Sequence, residues 1–346
     1  MPSSKPKPSE VAAETKKRYI PYIREYYTHW PAQSYMVAQP LAELSWVVST
    51  TQLSLTPPEF HICHADPVDF TLRWQQHVQI PTRIPFLCTA NDKRPGGDWE
   101  TGVVGYEERL CRRSNLSAAL GTPVQKEVSS NYPIPSSGVV YSKHVVVFRG
   151  PHDHYKEMEE TDWFQLPIIS VPAVRWPKLS HMGSTYAFEV EKELMRDKMR
   201  GALRMCNWEN HDYIVIADFG LGNSHRNPPM ELAQMWRDIF LYDPDIRGYF
   251  KHVAFVFEDI HQSTSRLIID DLAKKTKGGS SSSGGSSSRS KSKVHHGSSS
   301  GGGSGSNSGA AHPTDFEIFE TIFAADSIRD ILTRPDPRYG ISMLTS

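Results

Sequence analysis

The feature that most restricts what this chain can fold into is an alternation of short apolar runs rich in β-branched and aromatic residues with longer segments of helical period. Strands are expected at Trp46 to Leu55, Phe60 to His64, Arg83 to Ala90, Lys143 to Arg149, Leu166 to Pro172, Asp212 to Ala217 and Lys251 to Phe257. Between them, Asp66 as cap and Pro67 at the first helical position start a helix. Others are expected from about Gly105 to Leu120, from Ser184 to Cys206 and from Pro229 to Leu241, the last capped by Asn227 with Pro228 at the first helical position. Ahead of them, VAAETKKRYIPYIREYYTHW follows Ser9 as a cap and should pack with Val11, Tyr19 and Ile23, with Pro21 as a kink or break. Alternation of this kind builds an α/β domain, one sheet with helices on both faces.

Residues 278–312 interrupt the pattern with 10 Gly and 15 Ser in 35 residues. Such a tract cannot bury enough apolar surface to offset the entropy of ordering it, so a flexible insertion is expected there and a disordered lead at residues 1–8. Beyond the tract, Phe316, Ile318, Phe319, Ile322, Phe323 and Ile328 share one broad helical face. Residues 313–346 should therefore return to the domain formed by residues 9–277.

Composition removes several classes of function. With 38 Lys plus Arg against 39 Asp plus Glu, the chain lacks the bulk positive charge of a nucleic-acid binder. Its apolar runs are far short of a bilayer span, no secretory h-region is evident, and Cys63, Cys88, Cys111 and Cys206 form no CxxC pair. Reduced thiols in an intracellular protein, nuclear or cytoplasmic and without a membrane partner, are expected. HICH at His61 to His64 alternates faces and PHDHY at His152 to Tyr155 is a loose loop cluster, so no metal site is expected. Arg109, Arg112 and Arg113 read as an exposed helix face, and Arg289 to Lys293 is too sparse for a nuclear signal.

Two loops could carry chemistry. FLCTANDKRPGGDWETGVVGYEERLCRRSNL leaves a strand and enters a helix. Gly96 and Gly97 permit positive φ or close backbone approach, and Glu107 and Glu108 lie in the first turns of the helix. Adjacent helical residues point about 100° apart, so the two carboxylates would flank a bound group. One could hold a hydroxyl while the other exchanges a proton with a leaving oxygen, if burial raised its pKa against the pull of the helix terminus. The same pair at a helix start can serve the helix dipole alone. In ADFGLGNSHRNPPMELAQMW, Gly220 and Gly222 would expose amides beside a helix N-terminus, which suits a diphosphate, although a GxG also simply joins a strand to a helix.

Taken together, these pieces resemble the microbial-type poly(ADP-ribose) glycohydrolase domain, a macrodomain relative, and the Gly/Ser tract suggests a fungal member. The likeness runs through VAAET (Val11 to Thr15), the strand ending in Asn91, PGG (Pro95 to Gly97), Glu107 and Glu108 with LCRRSNL, YPIP (Tyr132 to Pro135), YSKHVVVFRG (Tyr141 to Gly150), IISVPA (Ile168 to Ala173) and KMRGALRMC (Lys198 to Cys206). It implies a three-layer α/β/α fold with a mixed central sheet, which binds ADP-ribose and hydrolyses the ribose–ribose O-glycosidic bond without metal or redox cofactor. Its partners would be poly(ADP-ribose) and ADP-ribosylated proteins. By the resemblance Glu108 is the acid, Glu107 and Asn91 orient ribose, Gly96 and Gly97 line the catalytic loop, and Gly220 and Gly222 embrace the diphosphate.

The family's third glycine is Asp98 here, its glutamine before the Glu pair is Tyr106, and its aromatic after the second Gly pair gives way to Asn223, Ser224 and His225. Asp98 would repel a diphosphate unless Lys93 or Arg94 pairs with it, and His225 would take over as a stacking surface. These departures keep two alternatives beside the hydrolase of poly(ADP-ribose): a non-catalytic ADP-ribose reader, and a hydrolase of mono-ADP-ribosyl adducts.

Overall fold

The computed structural model describes residues 5–40, 56–78, 80, 83–278 and 312–333. The expected strand at Trp46 to Leu55, residues 1–4, and the Gly/Ser tract apart from Gly278 and His312 lie outside the described residues.

Helix α1 (Pro8–Glu14) begins at its proline rather than at a Ser9 cap. The chain continues through a π-helical turn at Thr15–Tyr19 into α2 (Ile20–Tyr26). Pro21 therefore does not break the helix: the widened turn lies where proline removes a donor and crowds the carbonyl four residues back. The strands are β1 (Tyr35–Val37), β2 (Glu59–His64), β3 (Phe86–Thr89), β4 (Val139–Val147), β5 (Phe164–Val171), β6 (Tyr213–Ile216) and β7 (His252–Phe257). They form one mixed sheet in the order β1-β4-β5-β3-β6-β7-β2, with β1, β4 and β5 antiparallel and the remaining pairings parallel.

Strand alternation sends Phe86 and Cys88 to one face and Leu87 to the other. The first face packs with α3 (Pro67–Val78), α4 (Tyr106–Arg113) and α5 (Leu116–Leu120). The second is covered by α6 (Glu189–Trp208), α8 (Pro229–Tyr242) and α10 (Asp315–Ile322). This is the three-layer α/β/α arrangement expected.

Where helices start and stop follows local chemistry and, in two places, distant partners. Asp66 caps α3 by accepting the Asp69 amide at 2.9 Å. The single helix expected to Leu120 is instead α4 and α5, because Ser114 is extended and bridges to Val147 while Asn115 Oδ1 accepts the Val146 amide at 2.8 Å. Asn227 is not the cap of α8. Its side chain donates to the carbonyls of Gly220 (2.7 Å) and Val174 (2.9 Å) and accepts from the Tyr186 hydroxyl (2.7 Å), and Pro228 is the residue before the helix.

Helix α9 (Thr264–Gly278) leads up to the tract, and beyond it the expected helical face is divided between α10, held by a Thr314–Glu317 capping box, and α11 (Ala325–Leu332). Ile318, Phe319, Phe323 and Ile328 still join the core beside Phe255 and Phe257. Among the described residues no helix is long and apolar enough to cross a membrane.

Candidate active site

Parallel strands β3, β6 and β7 end at the same edge of the sheet, and the first polar side chains beyond them, Asn91, Asp218 and Glu258, line one cleft of about 630 Å³. The same cleft is lined by Asp98, Tyr106, Glu107 and Glu108 from the first predicted loop and by Gly222, Asn223 and His225 from the second. Gly96, Gly97 and Gly220 are not among the residues that line it. Gly96 and Gly97 have φ of 73° and 56°, and a Cβ on Gly97 would lie 2.5 Å from Glu108 Oε1. Gly105 is tighter still, since a Cβ there would run into Glu108 Oε2. These two glycines make the space in which the Glu108 carboxylate sits, and the Asp98 amide donates to it at 3.4 Å.

Glu107 has a different environment. It is buried, its Oε2 accepts the Asn91 amide at 2.7 Å, and its Oε1 is buried with no hydrogen-bond partner. Burial pushes its pKa up to about 8; the Asn91 amide opposes the shift and Glu108 adds to it. The carboxyl is thus held neutral at neutral pH, with Oε1 enclosed and without a hydrogen-bond partner.

The folded protein keeps this proton from about pH 4.5, the ordinary value, up to about pH 8, where the unfolded chain has lost it. Stability from this group is therefore full below the lower value and falls by about 1.4 kcal/mol per pH unit as pH rises toward the upper one. Glu107→Gln is expected to remove that decline. Thermal midpoints of the two proteins across the window check it, and parallel pH profiles would mean that Glu107 is ionised in the fold.

Asn91 Oδ1 accepts the amides of Lys93 (2.8 Å) and Arg94 (3.1 Å), which fixes the turn that carries the glycines. Asp98 forms an ion pair with Arg94, so its charge is answered on its own loop. Tyr106 lies beneath the Arg109 guanidinium, 4.5 Å from the ring centroid, and Arg109 in turn binds Glu258 at 2.7 Å, with His152 3.0 Å from the same carboxylate.

The expectation of an exposed arginine face fails. Arg113 is buried against Asp66 and Asp69, and fully buried Arg112 donates to the carbonyls of Trp99 (2.8 Å), Thr101 (2.9 Å) and Val103 (2.5 Å). α4 begins at a loop that folds over it, so its polar side is an interior polar side.

In the second loop the Gly222 amide is not free for a diphosphate, because it donates to Thr264 Oγ1 at 2.8 Å. That hydroxyl donates to Asp315 Oδ2 at 2.7 Å, Asp315 Oδ1 accepts the Thr264 amide at 2.9 Å, and Gln262 Nε2 bridges Asp315 (3.0 Å) to Asp218 (3.2 Å). The first residue of α10 thus anchors the glycine turn. Gly220 and Gly222 are required by φ of 80° and 71° and by packing on Met195 and Gln262. The short helix α7 (Gly222–His225) leaves the amides of Asn223 and Ser224 ahead of its first intrahelical bond.

His225 is buried and its pKa is lowered to about 4, by burial first and Arg175 second. Burial also pushes Asp218 up to about 6. Sequence reasoning missed Asp218, Glu258, Arg175, His152 and Gln262. The first two were findable, as the first acids after the expected strands Asp212 to Ala217 and Lys251 to Phe257; the others come from segments that only the fold brings to the cleft.

Fold and cleft together define a class: a three-layer α/β/α protein whose parallel strands end at a cleft that holds a pair of unlike carboxylates. Residues 17–150 match the family model of the microbial-type PARG catalytic domain, the family the sequence resembles. In structure the chain is similar to poly(ADP-ribose) glycohydrolase from Thermomonospora curvata, with a TM-score of 0.57 and 20% identity over 77% of this chain and 98% of that one. It is similar also to the T. curvata enzyme bound to the inhibitor ADP-HPD (TM-score 0.55, 19% identity, 78% and 98% covered). The Deinococcus radiodurans poly(ADP-ribose) glycohydrolase in complex with ADP-ribose gives a TM-score of 0.53 at 20% identity, covering 74% and 98%. At these identities the likeness is one of fold. No curated protein matches the sequence.

Proposed function

We propose that this chain is a glycosidase that hydrolyses the ribose–ribose O-glycosidic bond of poly(ADP-ribose), releasing ADP-ribose. The observation that carries the reading is the unlike carboxylate pair. Glu107 is buried and neutral with an unpartnered oxygen, and Glu108 is seated between Gly97 and Gly105 at the cleft.

In its protonated form Glu108 donates to the leaving ribose oxygen as the C1–O bond breaks and an oxocarbenium-like centre develops. It then takes a proton from the water that attacks C1, which returns it to its starting state. Glu107, which lines the cleft beside Glu108, orients the ribose there. The exposed Arg175 and the Asn223 and Ser224 amides supply positive potential for the diphosphate, offsetting the acids of the cleft. Poly(ADP-ribose) carried on modified proteins is the substrate class that fits.

The test is incubation with poly(ADP-ribose) and with a mono-ADP-ribosylated protein, measuring ADP-ribose release beside calorimetric binding. Release from the polymer supports the proposal. Binding without release would make the protein a reader, and release from the mono-modified protein alone would change the substrate.

A further inference from the structure

At the opposite ends of the strands from the cleft, edge strand β2 carries Glu59 and His61 two residues apart, hence on one face. The parallel register sets His252 opposite Glu59, with Tyr213 on the other side of His252. The three polar side chains converge there: His61 Nε2 is 3.1 Å from His252 Nδ1, and Glu59 lies 3.5 Å from His252 Nδ1 and 3.8 Å from His61 Nε2. An ion held tetrahedrally at about 2.0–2.2 Å keeps neighbouring ligand atoms roughly 3.3–3.6 Å apart. The two ring nitrogens, with Glu59 Oε2 3.5 Å from His252 and Glu59 Oε1 3.8 Å from His61, lie within a few tenths of an ångström of that spacing.

Both rings are fixed by packing. His252 stacks on Tyr213 with centroids 4.7 Å apart, and His61 meets Trp74 edge-on at 5.5 Å. An ion would therefore not have to order them. The side chains of His61 and His252 remain 31% and 29% exposed and that of Glu59 66%, which leaves a further coordination position open to water. The other three-residue cluster among the described residues, Asp66, His152 and Glu258, is already occupied by guanidinium groups, since Arg109 pairs with Glu258 and Arg113 with Asp66.

We propose that Glu59, His61 and His252 form a binding site for a divalent transition-metal ion of the zinc class, with water completing the shell, which pins edge strand β2 to β7. Two imidazoles and one carboxylate suit such an ion better than calcium or magnesium, which prefer all-oxygen shells. Because the ion binds only the folded arrangement, it raises the thermal midpoint.

The experiment uses the full chain after chelation, titrated calorimetrically with Zn²⁺ and, by visible absorption, with Co²⁺. The chain holds 15 His, so the difference between variants is the readout. In His252→Phe, which keeps a ring on Tyr213, affinity at one site is expected to fall by more than the roughly 10–100-fold that loss of an outer partner costs. The exposed Glu59→Gln should weaken it in the same direction without touching the core. The Zn²⁺-dependent rise in midpoint should disappear in His252→Phe, whose midpoint in chelator stays at the wild-type value. Unchanged stoichiometry and affinity in both variants would overturn the proposal, as would a site that survives His252→Phe and is lost in His152→Phe.

Discussion

Glu108→Gln is expected to lower the rate of ADP-ribose release by about 10²–10⁴-fold, the range a positioned general acid–base contributes, while leaving affinity for ADP-ribose nearly unchanged. The amide is close to isosteric, and its carbonyl oxygen can still accept the Asp98 amide, so the loop geometry between Gly97 and Gly105 is retained. What is lost is a proton that can leave and return. A fall in kcat at constant binding is the signature of a group used only along the reaction coordinate.

Glu107→Gln makes the instructive contrast. Below about pH 8 the native side chain is already neutral, so Gln imitates it and should retain far more activity than Glu108→Gln, whereas Glu107→Ala should lose binding because it removes the group that holds the Asn91 amide beside Glu108. Initial rates on poly(ADP-ribose) with calorimetry on ADP-ribose separate these cases. Release unaffected by Glu108→Gln would remove the acid from the mechanism.

What could be read from the sequence is what depends on period and local turn chemistry. The Asp66–Pro67 helix start, the positive φ of Gly96 and Gly97 and the strand–helix alternation all need only neighbours in the chain. Illegible were features decided by a distant partner. Ser114 leaves the helix because Val147 takes it into a bridge, Asn227 caps nothing because Gly220, Val174 and Tyr186 claim its side chain, and the Gly222 amide is consumed by Thr264. His61 and His252 are 191 residues apart, so only strand register could pair them. The candidate site divides the same way. The carboxylates and glycines belong to recognisable loops, but the contrast between Glu107 and Glu108 is one of burial, and no spacing of residues encodes that.

Arg112 shows what such hidden partners contribute. Its guanidinium is fully buried and spends its donors on the carbonyls of Trp99, Thr101 and Val103, three points along the loop that runs from Asp98 to Gly105 and closes over Glu108. Arg112→Met preserves much of the apolar stem but strands three inward-facing carbonyls, so a loss of about 3–5 kcal/mol is expected. In a chain of this size that is on the order of a 10 °C fall in thermal midpoint. Activity should fall further than stability alone requires, because the loop that carries Gly97 and Asp98 is no longer tied down and Glu108 loses its seat. Arg112→Lys should fall between the two, since a compact ammonium cannot reach all three carbonyls in the fork geometry of Arg. The exposed Arg94–Asp98 pair is a useful control, because Arg94→Ala should shift the midpoint little although it touches the same loop. Scanning calorimetry with kcat measured well below each midpoint distinguishes the effects. A midpoint for Arg112→Met equal to wild type would mean that the three carbonyls find water, and that the loop is held by its glycine turn instead.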